Sequence, residues 1–121
     1  MPLLSYVVCA YNEPYRLAMC LESLRRQLFS DFEVIVTDDG SDFAVTEVVT
    51  PCYPDAQFVA APKIPVAERL TTPRLGKLIN RALALVACDV VTYLCDDDLF
   101  APGWLPTVRA FFDHYTDEHW V

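Results

Sequence analysis

A chain of 121 residues, 54% hydrophobic and 21% charged with only 3 glycines, has the composition of one globular domain, which excludes a disordered or fibrous segment. Acidic residues outnumber basic ones 17 to 9, and the net charge of −8 argues against nucleic acid, whose phosphate backbone needs a cationic face. The longest apolar run, Ala82 to Cys88, falls far short of the roughly 20 residues that span a bilayer, so no transmembrane helix is expected.

Leu3 to Ala10 is a nearly continuous apolar, β-rich run that stops at Tyr11-Asn12-Glu13-Pro14, the pattern of a strand buried on both faces. From Tyr15 the period changes. Leu17, Leu21, Leu24 and Leu28 recur at helical spacing, with Arg16, Glu22, Arg25 and Arg26 left to face water, which predicts an amphipathic helix. Glu33 to Thr37 predicts a second strand, ended by Asp38-Asp39-Gly40-Ser41-Asp42, a run of turn formers and helix N-caps with a short helix after it through Val49. Pro51, Pro54, Pro62 and Pro65 keep the middle mostly extended around a short strand at Gln57 to Ala61. Thr72-Pro73 offers an N-cap and a first-turn proline to a helix striped by Leu75, Leu78, Ile79, Ala82 and Val86. Asp89 to Leu94 predicts another buried strand, running into Asp96-Asp97-Asp98. Leu105, Val108, Phe111, Phe112 and Tyr115 mark a last helix, with Pro106 confined to its first turn. His119-Trp120-Val121 reads as the start of a further buried strand.

This alternation predicts an α/β fold: a doubly wound, mostly parallel sheet with helices on both faces, right-handed crossovers and ligands outside the carboxyl ends of the strands. Both aspartate clusters sit at those ends. No repeat or linker interrupts the chain, so residues 1–121 are expected to be a single domain. The start, Met1-Pro2-Leu3-Leu4-Ser5-Tyr6, lacks the features of a secretory signal, which makes the cytoplasm the expected compartment. The 5 cysteines show no C-x-x-C pair, and Cys9, Cys20, Cys88 and Cys95 lie in apolar stretches, so reduced, mostly buried thiols are expected.

Three adjacent carboxylates at a strand end repel one another, which raises their pKa values unless a cation relieves them. Mg²⁺ and Mn²⁺ bind through one or two carboxylates while substrate phosphates and water complete the shell, so one ion would join an acidic protein to an anionic diphosphate. An isolated aspartate here would read as the solvated cap of the next helix; a triplet on a buried strand, beside a second acidic strand end, favours metal. In Asp38-Asp39-Gly40-Ser41, Gly40 permits a tight turn and the aspartates present acceptors to a ring N–H or to ribose hydroxyls, although local capping is the ordinary reading of such a turn alone. His114 and His119 have no ligand-type context and read as surface or helix-end residues. Tyr6, Phe32, Phe43, Phe58, Phe111 and Phe112 fall within strand and helix patterns and read as core.

Taken together, Val7-Val8-Cys9-Ala10-Tyr11-Asn12, Ser30 to Asp42 around Asp38-Asp39-Gly40, Leu78-Ile79-Asn80-Arg81-Ala82 and Thr92-Tyr93-Leu94-Cys95-Asp96-Asp97-Asp98 resemble the family-two inverting glycosyltransferases of the GT-A fold, from about Leu3 to Pro106. Val66-Ala67-Glu68-Arg69 through Arg74 is similar to the bacterial polysaccharide-synthesis, spore-coat type. The resemblance implies a Rossmann-like half that binds a UDP-sugar through Mn²⁺ or Mg²⁺. Asp39 would accept the uracil N3–H and Tyr11 would lie against the base, with Cys9, where the family often has a hydroxyl residue, touching the same ring. Arg69 would lie near the base or diphosphate, with Arg74 a second candidate. Asp96 would hold the ribose and Asp97 the metal, with Asp98 a rival ligand. The implied reaction is one displacement with inversion, in which an acceptor hydroxyl attacks the anomeric carbon. Its general base is expected beyond Val121, so the chain is expected to stop before the acceptor-binding half and to be inactive alone, with exposed apolar surface that favours self-association or marginal stability. A nucleotide-binding half-domain without turnover is the alternative. A Mg²⁺-binding receiver domain fits less well: it carries its acidic pair after strand one, where this chain has Ala10-Tyr11-Asn12, and a late lysine, whereas none follows Lys77.

Overall fold

In the computed structural model, residues 4–28 and 30–115 are described; Asp117, Glu118 and the further strand expected from His119, Trp120 and Val121 lie outside the described residues. Strands β1 (Leu4–Ala10), β2 (Phe32–Asp38), β3 (Gln57–Ala60) and β4 (Val91–Cys95) form one sheet in the order β3-β2-β1-β4. Every pairing is parallel. β1 lies between two strands and under helices on both faces, which is why its sequence is apolar almost throughout.

The period of two divides β1 between two cores. Leu4, Tyr6, Val8 and Ala10 face α1 (Pro14–Arg25), α2 (Val45–Val49) and α5 (Trp104–His114), packing with Leu17, Leu21, Leu24, Val45, Val49, Leu105 and Val108. Val7 faces the other side, where Ile35 and Val59 meet Leu78 and Ala82 of α4 (Leu75–Leu83). The expected doubly wound α/β architecture is therefore present. Each fully buried Leu or Val contributes on the order of 1.5–3 kcal/mol.

Local differences from the sequence expectation have identifiable causes. The first helix ends at Arg25, and Leu28 is exposed, because Gln27 turns inward instead: its Nε2 donates to the carbonyl of Ala101 at 2.9 Å and its Oε1 accepts from Leu105 N–H at 3.0 Å. A four-residue helix, α3 (Val66–Arg69), interrupts the stretch expected to be extended. Thr72 does not cap the next helix: its N–H, like that of Thr71, donates back to Glu68 O and closes α3, and α4 starts later, with Arg74 as its N-cap. β4 begins at Val91 rather than Asp89. Cys20 and Cys88 are buried, but Cys95 is exposed and Cys9 only half-buried. No described helix is long and apolar enough to cross a membrane.

Candidate functional site

Parallel register sets Ala10 opposite Asp38 and Cys9 opposite Cys95, so the loops after β1, β2 and β4 leave the same edge of the sheet. The first two are stitched together. Asn12, in the left-handed region at φ 50°, donates its N–H to Ser41 Oγ at 3.1 Å and its Nδ2 to Asp42 Oδ2 at 3.0 Å, while Asp42 N–H donates to Asn12 Oδ1 at 2.6 Å. Asp39 N–H donates to Ala10 O at 3.1 Å. Gly40 sits at φ +79°, and a Cβ there would stand 2.8 Å from Lys63 Cα. Only glycine meets both demands.

The two aspartates of this loop divide two roles. Asp38 closes the local turn, accepting Ser41 N–H at 2.9 Å, and no side chain of this run caps α2, whose N-cap is Ala44. The Asp39 carboxylate instead meets two guanidinium groups from further along the chain. Arg69 Nη2 donates to its Oδ2 at 2.5 Å and Arg69 Nη1 to its backbone carbonyl at 2.9 Å. Arg74 Nη2 lies 2.7 Å from Oδ1, but its aligned hydrogen bond goes to the Asp39 carbonyl at 2.9 Å. Oδ1 therefore feels positive charge, is buried, and accepts no hydrogen bond. The side chains of Asp39, Arg69 and Arg74 are 19%, 19% and 13% exposed, which sets Arg74 apart from the surface charges Arg25 and Arg26 that pair with Glu22. Arg69 also lies over the Tyr11 ring, its guanidinium carbon 3.3 Å from the ring centroid. Beside them opens a cavity of about 170 Å³ lined by Asp39, Ile64, Arg69, Thr72, Pro73, Arg74 and Leu75.

Tyr11 links this cluster to the acidic triplet, since its N–H donates to Asp96 Oδ2 at 2.8 Å. Asp96 is buried. Burial, ahead of repulsion by Asp97, raises its pKa, so desolvation outweighs the charge crowding expected from sequence. Asp97 and Asp98 are exposed, and with Cys95 they form a group whose ligand atoms all lie within 4.8 Å of one another. Burial first, then Asp98 and Asp97, raises the Cys95 thiol pKa. Two accessible carboxylates, open to water and to an incoming phosphate, are a donor set that fits Mg²⁺ or Mn²⁺.

Tyr11, Asp39, Arg69, Arg74 and Asp96 thus converge, Asp97 and Asp98 stand next to them, and Cys9 lies half-buried on β1 against the core on the α4 side. His114 is exposed at the end of α5. Sequence reasoning missed two contributors. Cys95 joins the acidic group because strand alternation, which buries Leu94 and Asp96, turns it outward; that parity was readable. Asn12 clamps the loop through a partner 30 residues away, and no local signal announces it.

The family described as Glycosyl transferase family 2 matches residues 5–119. Protein CgeD of Bacillus subtilis is 31% identical over 111 residues, covering 91% of this chain and 26% of that protein. The GalNAc(5)-diNAcBac-PP-undecaprenol beta-1,3-glucosyltransferase of Campylobacter jejuni is 31% identical over 108 residues, 89% of this chain and 34% of that enzyme. Among solved structures, S. aureus TarS 1-349 in complex with UDP-GlcNAc superposes with a TM-score of 0.74 at 25% identity, covering 94% of this chain and 32% of that one. The chain therefore spans about a third or less of the length of these relatives.

Proposed function

We propose, from the premise that this chain belongs to glycosyl transferase family 2, that its strand-end cleft binds a UDP-sugar together with Mn²⁺ or Mg²⁺ for inverting transfer of the sugar to an acceptor hydroxyl. One observation carries the reading: Tyr11 bears Arg69 on its ring and donates its N–H to Asp96, so a surface suited to a nucleobase and the acidic triplet are built on a single residue. The glucosyltransferase of C. jejuni and the UDP-GlcNAc complex of TarS support the donor class.

The placement of each residue supports a task for it in this reading. The Tyr11 ring offers an aromatic face to the uracil, and the buried, unsatisfied Asp39 Oδ1 offers an acceptor to the uracil N3–H. Arg69 must swing off the ring to admit the base, and is then free to face the anionic diphosphate. Arg74, less exposed and also bound to the carbonyl of Pro62, stays to hold the Asp39 loop. Asp96, oriented by the Tyr11 N–H, faces the ribose hydroxyls, and Asp97 and Asp98 would hold the cation. When bound, a divalent cation there neutralises charge that develops on the departing diphosphate.

Calorimetric titration with UDP in Mn²⁺ and in EDTA tests this. UDP is expected to bind far more tightly with the ion, because its phosphates otherwise meet the Asp96 to Asp98 carboxylates directly. Asp97→Asn should abolish that difference. Equal affinity in EDTA and Mn²⁺ would remove the metal from the reading.

A further inference from the structure

We propose that the Cys95 thiolate is a third ligand to the divalent cation at the end of β4, so that the site is a mixed sulfur and oxygen set that takes thiophilic ions such as Cd²⁺ and Zn²⁺ as well as Mn²⁺. The inference rests on the reading of Asp97 and Asp98 as the cation ligands and adds a donor to it.

The local backbone explains the grouping. Period-two alternation buries Leu94 and Asp96 and leaves Cys95 and Asp97 exposed. The chain then turns, with Asp98 N–H donating to Cys95 O at 3.0 Å, and this brings Asp98 back toward the residue three positions before it. Sulfur and both carboxylates consequently lie within 4.8 Å of one another. Zn²⁺ bonds to thiolate sulfur at about 2.3 Å and to carboxylate oxygen at about 2.0–2.2 Å, so two ligands of one ion stand about 3.5 Å apart in a tetrahedral set and about 4.5 Å apart at most. The three donors match that span with side-chain adjustment alone. All three are exposed, leaving the remaining positions of the ion open to water and phosphate oxygens.

The donor types set the preference. Carboxylates alone suit Mg²⁺ and Mn²⁺, whereas a thiolate draws ions that form strong bonds to sulfur. Loss of the sulfur should therefore weaken Cd²⁺ and Zn²⁺ far more than Mn²⁺.

The test is Cd²⁺ titration of the 121-residue chain carrying Cys52→Ser, which removes the other exposed thiol, followed by the thiolate-to-cadmium absorption band in the ultraviolet. Mn²⁺ binding is followed in parallel by loss of the free-ion electron paramagnetic resonance signal. One Cd²⁺ per chain with a thiolate band is expected. Cys95→Ser and Cys95→Ala should both abolish the band and lower Cd²⁺ affinity about tenfold or more, with Mn²⁺ affinity changed about twofold at most. Asp97→Asn should weaken both ions. A chain that binds Mn²⁺ through Asp97 but shows no Cys95-dependent band overturns the sulfur ligand and leaves the carboxylate site standing. A band of unchanged affinity in Asp97→Asn also overturns it, because the thiol then binds alone. Mn²⁺ binding indifferent to both Asp97→Asn and Asp98→Asn overturns the carboxylate site, and the proposal with it.

Discussion

At the scale of single residues, Asp38 and Asp39 show how neighbouring identical side chains acquire different work. Sequence presents two equivalent carboxylates in a turn; only the partners separate them, Ser41 three residues on for Asp38 and Arg69 and Arg74 for Asp39. Asp39→Ala is expected to weaken UDP binding by roughly 1.5 to 3 kcal/mol, the loss of one charge-assisted hydrogen bond, with the fold intact because Asp38 closes the turn and both arginines keep their bonds to the residue 39 carbonyl. Calorimetry beside circular dichroism checks both halves; a variant that unfolds, yet binds UDP normally when folded, would make Asp39 a scaffold residue. Gly40→Ala is expected to destabilise the chain by roughly 1 to 3 kcal/mol in thermal unfolding, since the left-handed backbone and the nearby Lys63 Cα both oppose a Cβ. The Asp-Asp-Gly run made the turn readable. The identity of the aspartate facing the cavity depended on arginines whose approach is set by tertiary structure.

Among elements, the informative contact is the one between α1 and the chain that follows the acidic triplet. Ser23 Oγ accepts Phe100 N–H at 3.1 Å, and Gln27 bridges Ala101 O and Leu105 N–H, so α1 holds both sides of the turn that starts α5. Gln27→Leu is expected to cost about 1 to 3 kcal/mol, because the buried Leu105 N–H loses its partner, while the Ala101 carbonyl keeps its bond from Trp104 N–H. Thermal unfolding measures the cost, and weaker Mn²⁺ binding would show that the clamp also positions Asp97 and Asp98. The four strands and the longer helices were legible because long apolar runs and a 3.6 period are local signals. α3 was not, since its four residues include no fully buried one and lie among prolines; contacts of Arg69 with Asp39 and Tyr11 tie it to the site. Gln27 was hidden for the opposite reason: Leu28 continued the apolar stripe, but two polar partners about 75 residues away in sequence won over one more leucine.

At the scale of the whole molecule, the loops after β1, β2 and β4 meet at one edge of the sheet. Alternation of strands and helices made the parallel sheet readable, and the strand-end rule placed both aspartate clusters together; the order β3-β2-β1-β4 then brings the loops after β2 and β4 to flank that after β1. Sugar transfer also needs a base within about 2.6–3.2 Å of the acceptor hydroxyl. The strand-end carboxylates already have other work. Glu13 stands 3.8 Å from Arg16 at the start of α1, Asp38 closes the turn at Ser41, Asp39 meets two arginines, Asp42 pairs with Lys63 and Asn12, Asp96 accepts Tyr11 N–H, and Asp97 and Asp98 are assigned to the cation. Among the described residues beyond Asp98, the one acidic side chain is Asp113, which lies 3.7 Å from Arg109 and is 68% exposed. It stands nine residues into α5, about 14 Å along the axis from the helix start. The 121-residue chain is therefore expected to bind UDP with its metal dependence intact and to transfer no sugar by itself. Product assays with a panel of UDP-sugars and hydroxyl acceptors, run beside a relative of full length, check this. Metal-dependent formation of a glycoside by these 121 residues alone would place a working base among the carboxylates assigned here to other tasks.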